Sequence, residues 1–197
     1  MKIQCAYVYN GINLENYSLS QNSREDFYLF VGRINVCKGP HYFVQLMKRD
    51  KKRGIIIGDD IFVEDRGFAL KVKRMAIENG VEYLGNRPRD FVVEMMQKCK
   101  AVVMPLNGSW QEPFGLFVVE ANACGAPVIS TKNGALPELI QDGENGMLYD
   151  SPLNIQLDLP PSINEVKCRK AAEKFSRRKM AENYLKLYEK ILKGERW

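Results

Sequence analysis

The chain has 197 residues, 45% apolar and 27% charged, with a net charge of +5; that size and balance suit a globular protein of one domain, or one and a half. No apolar run approaches the ~20 residues that span a bilayer, and the first residues, MKIQCAYVYNG, lack the apolar core of a signal peptide. The dispersed basic residues include no aromatic-interleaved motif for nucleic acid, so membrane spans, secretion and nucleic-acid binding are set aside and a cytoplasmic protein is expected. Five cysteines, odd in number, widely spaced and without C-x-x-C, argue against a disulfide framework or a zinc site.

Residues 1–26 begin with Ala6-Tyr7-Val8-Tyr9 and the turn signal Asn10-Gly11, then become polar over 18–26. They are expected to form a linker or edge segment. Residues 27–31, FYLFV, are a compact aromatic and β-branched run that suits a buried strand ending at Gly32. Phe43, Leu46 and Met47 fall at helical spacing before the charged run 48–53. Ile55-Ile56-Ile57 is a second buried strand, closed by Gly58-Asp59. A basic amphipathic helix over 66–79 stops at Gly80, and a third strand over 81–84 ends at Gly85. A helix over 88–98 precedes the strand 101–104, which Pro105 closes.

The stretch 111–125, QEPFGLFVVEANACG, follows. Its helix is apolar on nearly all sides and therefore buried. Glu120 is the only charge between Glu112 and Lys132, and a buried carboxylate needs a partner. Pro113 suits a first helical turn, where its missing N–H is not needed. Phe114, Gly115 and Leu116 then offer backbone N–H groups at the positive end of the helix dipole, an anion site. A strand over 127–129, a short helix after Leu136 and a last strand over 147–149 complete the alternation. Strands alternating with helices predict an α/β domain over 27–161, a doubly wound, mostly parallel, Rossmann-like sheet with its ligand beyond the carboxyl ends of the strands.

From 162 to 197 the chain reads as C-terminal helices. Met180, Tyr184, Leu187, Tyr188 and Ile191 make an apolar stripe. The segment 167–179 carries seven basic residues against one acid, Glu173. A solvated helix face is the preferred reading there, with contact to a membrane surface as the alternative. His41, the only histidine, is expected at the surface of a helix start.

Glu112 and Glu120, with seven residues between them that begin Pro-Phe-Gly-Leu, resemble the E-x7-E motif of retaining glycosyltransferases of the GT-B fold, family 4 (glycosyl transferases group 1). Gly32-Arg33 with Lys38-Gly39 directly after the first strand is similar to the family's pattern. So are Gly134-Ala135-Leu136-Pro137-Glu138, Asp142-Gly143-Glu144-Asn145-Gly146 and Phe175-Ser176. Where the family has paired glycines, this chain has Asn133-Gly134-Ala135.

The resemblance implies a single half of a GT-B architecture, the donor-nucleotide half, carrying out retaining transfer from a nucleoside-diphosphate sugar. Arg33 and Lys38, after Gly32, would hold the donor diphosphate. Glu112 would bind hydroxyls of the donor sugar, and Glu120 those of the ribose. The N–H groups of Gly115 and Leu116, after Phe114, would sit near the sugar or its phosphate. Gly58, Asp59, Tyr83 and Leu84 would approach the nucleobase. Glu112, Arg33 and Lys38 form the catalytic set, with no metal and no cofactor beyond the donor. The family's acceptor domain is not among these residues, so a separate acceptor-binding chain or a homodimer is expected. The alternative function is a non-catalytic sugar-nucleotide module acting with a partner chain. A nicotinamide dehydrogenase fits the fold class but would carry G-x-G-x-x-G after the first strand, which this chain lacks.

Overall fold

A computed structural model describes residues 6–20, 23–58 and 65–194. Six four-residue strands, β1 (Tyr28–Val31), β2 (Gly54–Ile57), β3 (Glu82–Gly85), β4 (Ala101–Met104), β5 (Val128–Thr131) and β6 (Gly146–Tyr149), form one sheet. Its order is β3-β2-β1-β4-β5-β6, and every neighbouring pair is parallel. Between the strands run α1 (Pro40–Asp50), α2 (Arg66–Glu78), α3 (Arg89–Lys98), α4 (Leu116–Ala123) and α5 (Leu136–Leu139). The chain ends in α6 (Glu165–Glu173) and α7 (Arg177–Leu192).

The central strands are continuous apolar runs because both faces of the sheet are covered. Phe30, Ile56, Val102, Val103 and Ile129 have no solvent exposure. The strand order reverses between β1 and β4, and the carboxyl ends of these two strands open the crevice where such sheets take ligands. Gly39 fixes the geometry there. It ends the short 3-10 turn Val36–Lys38 and caps α1 with φ 73°, and a Cβ on it would lie 1.9 Å from the Pro105 carbonyl oxygen. Only glycine allows that approach, which holds Lys38 against the end of β4.

One expectation changes. The described part of the segment before β1 is no linker. Ile12 forms a parallel bridge with Ser176, its N–H donating to the Phe175 carbonyl at 2.9 Å. Tyr17 is in the core, and Arg169 of α6 donates to the carbonyls of Tyr17, Leu14 and Ala123. Arg24, in the polar stretch, donates to the carbonyls of Met96, Gln97, Cys99 and Cys124 and pairs with Glu165. These guanidiniums satisfy carbonyls at the ends of α3 and α4, which helix ends leave unpaired. The stripe of α7 is present and uncovered: no residue of this helix is buried, and Tyr184, Leu185, Tyr188 and Ile191 stay exposed. No helix among the described residues is long and apolar enough to cross a membrane.

Candidate functional site

The site is built from the loops that leave β1, β4 and β5. The loop after β5 sets Glu112. Asn133, buried, accepts from the Glu112 N–H at 2.7 Å, and its amide nitrogen donates to the carbonyls of Asn107 and Trp110 at 3.1 and 2.9 Å. The Ala135 N–H donates to the Glu112 carbonyl at 2.9 Å. Gly134 lies flat against this peptide: its φ is 54°, and a Cβ would come within 2.1 Å of the Glu112 carbonyl oxygen. One glycine therefore supplies the close backbone approach at Asn133-Gly134-Ala135, and the asparagine adds the clamp.

Glu112 so held is buried, 8% exposed, and its carboxylate forms an ion pair with Lys38. Both side chains are largely withdrawn from solvent, at 11% and 13% exposure. An ammonium has three N–H donors, so Lys38 can serve a second anion without leaving Glu112. The pair lies in a cleft of about 350 Å³ with Gly32, Phe114, Gly115 and Leu116.

At the cleft wall α4 begins. Gly115 is its N-cap, with φ 99° and no side-chain cap. The helix starts at Leu116, so Pro113 lies ahead of the first turn rather than in it. The reason is the left-handed Gly115, which turns the chain sharply into the helix. The N–H groups at this start point towards the cleft end of the helix, where the dipole favours an anion.

The remaining expected residues distribute differently. Arg33 is exposed, has no ion-pair partner among the described residues, and lines a neighbouring cleft of about 370 Å³ with Asp65, Phe68, Ser109 and Trp110. Lys38 and Arg33 thus flank the 3-10 turn on two sides instead of sharing one pocket. Glu120 sits one helical turn beyond Leu116 and does not line the Lys38 cleft. It accepts from Tyr17 Oη at 2.6 Å and from Arg89 Nη2 at 3.0 Å. Burial raises its pKa above the usual carboxylate value, and Arg89 opposes that rise. Gly58 is buried against the Gly32 carbonyl, and Tyr83 and Leu84 are half-buried at the end of β3, outside both clefts. Asp59 lies outside the described residues.

His41 is half-buried rather than at the surface. Its ring packs between Tyr42 and Phe68, and Nδ1 is buried without a hydrogen-bond partner among the described residues. Burial, then the nearby Lys71, lowers its pKa. Sequence reasoning missed Tyr17, Arg89 and Trp110, which come together only through long-range packing; it singled out Asn133-Gly134-Ala135 but not the clamp that Asn133 puts on Glu112. A larger depression, about 550 Å³ on the outer face of α2, is formed by that single helix and lies away from the strand ends. It has no convergent polar set and is not the candidate site.

The family model of the glycosyl transferases group 1 matches residues 15–185. The chain belongs to this family. An uncharacterized glycosyltransferase of Methanocaldococcus jannaschii is 30% identical over 204 aligned residues, which cover 97% of this chain and 55% of that protein. The D-inositol 3-phosphate glycosyltransferase of Corynebacterium jeikeium is 29% identical over 187 residues, covering 82% of this chain and 43% of that one. The chain thus spans about half the length of these curated relatives. Among solved structures, Anabaena HepE in complex with UDP and glucose superposes with a TM-score of 0.76 at 22% identity, over 92% of this chain and 56% of that one. A glycosyltransferase of avilamycin A biosynthesis gives a TM-score of 0.78 at 22% identity, over 95% and 58%. At that identity the likeness is one of fold: a group 1 glycosyltransferase domain with the Rossmann-like, C-terminal half of the GT-B architecture.

Proposed function

We propose that this chain binds a nucleoside-diphosphate sugar and, completed by acceptor-binding residues, transfers the sugar with retention of configuration. The observation that carries the reading is the Lys38–Glu112 pair, buried in the β1/β4 crevice at the start of α4. A cation, a carboxylate and free helix amides in one cleft match a ligand that carries phosphate beside hydroxyls. That the Anabaena neighbour was solved with UDP and glucose supports the same class of ligand.

In this reading Lys38 and the N–H groups of Gly115 and Leu116 hold the diphosphate. Glu112 keeps its contact with Lys38 through one carboxylate oxygen and accepts from sugar hydroxyls with the other. Arg33, exposed and without an ion-pair partner among the described residues, adds its planar fork from the neighbouring cleft. As the anomeric bond breaks, these fixed groups stabilise the charge growing on the diphosphate, the usual source of electrostatic catalysis. The developing cation at the anomeric carbon stays against that diphosphate, which also takes the acceptor's proton. No metal ion has a part in the scheme. The acceptor groups come from the remainder of a longer protein, from a separate chain or from a second copy of this one, and the exposed stripe of α7 is the surface proposed to meet them.

Titration calorimetry tests the assignment of Glu112. Glu112→Gln should leave the affinity for a nucleoside diphosphate near wild type and weaken its sugar-bearing form, since a bond to a charged acceptor contributes roughly 1.5–3 kcal/mol. Equal losses for both ligands would remove Glu112 from the sugar.

A further inference from the structure

Glu120 is held from one side only. Tyr17 Oη donates to its Oε1 at 2.6 Å, and Arg89 Nη2 donates to the same oxygen at 3.0 Å. Arg89 also donates to Tyr17 Oη and lies over the Tyr17 ring, 5.1 Å from its centroid. The three groups come from three separate places: the segment before β1, the first residue of α3, and the second turn of α4. Oε2 has no hydrogen-bond partner among the described residues. The carboxylate is three-quarters withdrawn from solvent, with 24% side-chain exposure. A partly desolvated oxygen with open lone pairs is a strong acceptor for a donor that arrives. Leu116, one turn earlier on the same helix face, lines the Lys38 cleft.

We propose that Tyr17 and Arg89 are positioning residues for a nucleotide's ribose: by saturating Oε1 they fix the Glu120 carboxylate and leave Oε2 to accept from the ribose diol. The proposal rests on the donor-site reading above, and it goes beyond it by assigning two residues outside the motif. Arg89 has a second effect. Its charge opposes the burial that raises the Glu120 pKa, so it keeps the carboxylate ionised at lower pH than burial alone would allow. Among the described residues, the other ionisable groups near this carboxylate are Tyr17 itself, the buried Cys124 that caps the end of α4, and, around Cys124, Arg24 and Arg169.

The test is calorimetry with UDP-glucose, ADP-glucose and GDP-mannose over about pH 5 to 8, a range in which the phosphates of these diesters do not titrate. The binder among the three is carried through wild type, Glu120→Gln, Tyr17→Phe, Arg89→Gln and Arg89→Lys, with thermal melts to confirm folding. Glu120→Gln should weaken binding at least roughly tenfold and abolish the acid-side fall in affinity. Arg89→Gln should weaken binding several-fold at neutral pH and move the acid-side fall to higher pH. Arg89→Lys should restore the position of that fall. Tyr17→Phe, which keeps the ring, should weaken binding without moving it. If Glu120→Gln weakens binding while Arg89→Gln and Tyr17→Phe match wild type in affinity and pH profile, the positioning roles are overturned and the donor site stands. If Glu120→Gln binds as wild type does, the ribose assignment falls and the positioning roles fall with it. If none of the three sugar nucleotides binds, the donor-site reading itself is contradicted.

Discussion

Replacing Lys38 with methionine isolates what the Lys38–Glu112 pair contributes to the fold. The substitution keeps most of the side-chain length and removes the charge. Glu112 is then left with its backbone clamped by Asn133 and Ala135 and with 11% of its side chain in contact with solvent. At an effective dielectric of ~20, two charges ~4 Å apart attract by about 4 kcal/mol. Breaking a buried pair from one side typically costs about 3–5 kcal/mol, because the remaining charge is uncompensated. The residual exposure places this pair near the lower end, about 3 kcal/mol. For a domain of this size each kcal/mol moves Tm by roughly 2–4 °C, so Lys38→Met should melt about 6–12 °C below wild type. Lys38→Met with Glu112→Gln removes both charges and should recover most of the loss, a coupling of about 2 kcal/mol in a double-mutant cycle. Urea unfolding of the four proteins decides it. A single-variant cost below about 0.5 kcal/mol, or a double variant that loses the sum of the singles, would refute the reasoning that the pair is buried and mutually required.

Gly134→Ala should cost more than about 2 kcal/mol, because the φ of 54° and the 2.1 Å approach to the Glu112 carbonyl both exclude a Cβ; chemical denaturation measures it, and a near-neutral variant would show that the loop can shift without loss. His41 should make the fold acid-sensitive. Burial lowers its folded-state pKa, so its contribution is full above the ordinary histidine value near ~6.5 and is lost as pH falls through the folded value. Comparing Tm of wild type and His41→Phe across that range isolates the effect: wild type should lose Tm faster on acidification, and parallel curves would contradict it.

The sheet was legible because its signals are local. Runs such as Ile55-Ile56-Ile57 and Ala101-Val102-Val103-Met104, each closed by Gly or Pro, mark buried parallel strands without any tertiary information. The cleft was legible in part. The residues that meet in it, Lys38, Glu112, Gly115 and Leu116, lie on the connections and the helix start that a doubly wound sheet gathers at the carboxyl ends of its strands. The orientation of individual side chains was not legible. Arg33 and Lys38 are five positions apart, yet the 3-10 turn between them aims them into different clefts. The partners of Glu120 come from Tyr17 and Arg89, over a hundred and about thirty positions away, and no periodicity encodes such a meeting. The segment before β1 misled for a related reason. Its polar composition signals a connector, but Arg24 is polar in order to satisfy carbonyls at helix ends, a role that composition alone does not separate from solvation.

The central claim is that the Lys38–Glu112 cleft at the start of α4 binds a nucleoside diphosphate without a metal ion. A thermal-shift panel of UDP, GDP and ADP, with and without their sugars, in the presence of a chelator, tests it most directly. At ~100 times its dissociation constant the matching nucleotide should add about 2.7 kcal/mol of stability, a rise of roughly 5–10 °C in Tm, and Lys38→Met should abolish most of that rise. No shift with any of these ligands at millimolar concentration, or a shift of the same size in Lys38→Met, would contradict the claim.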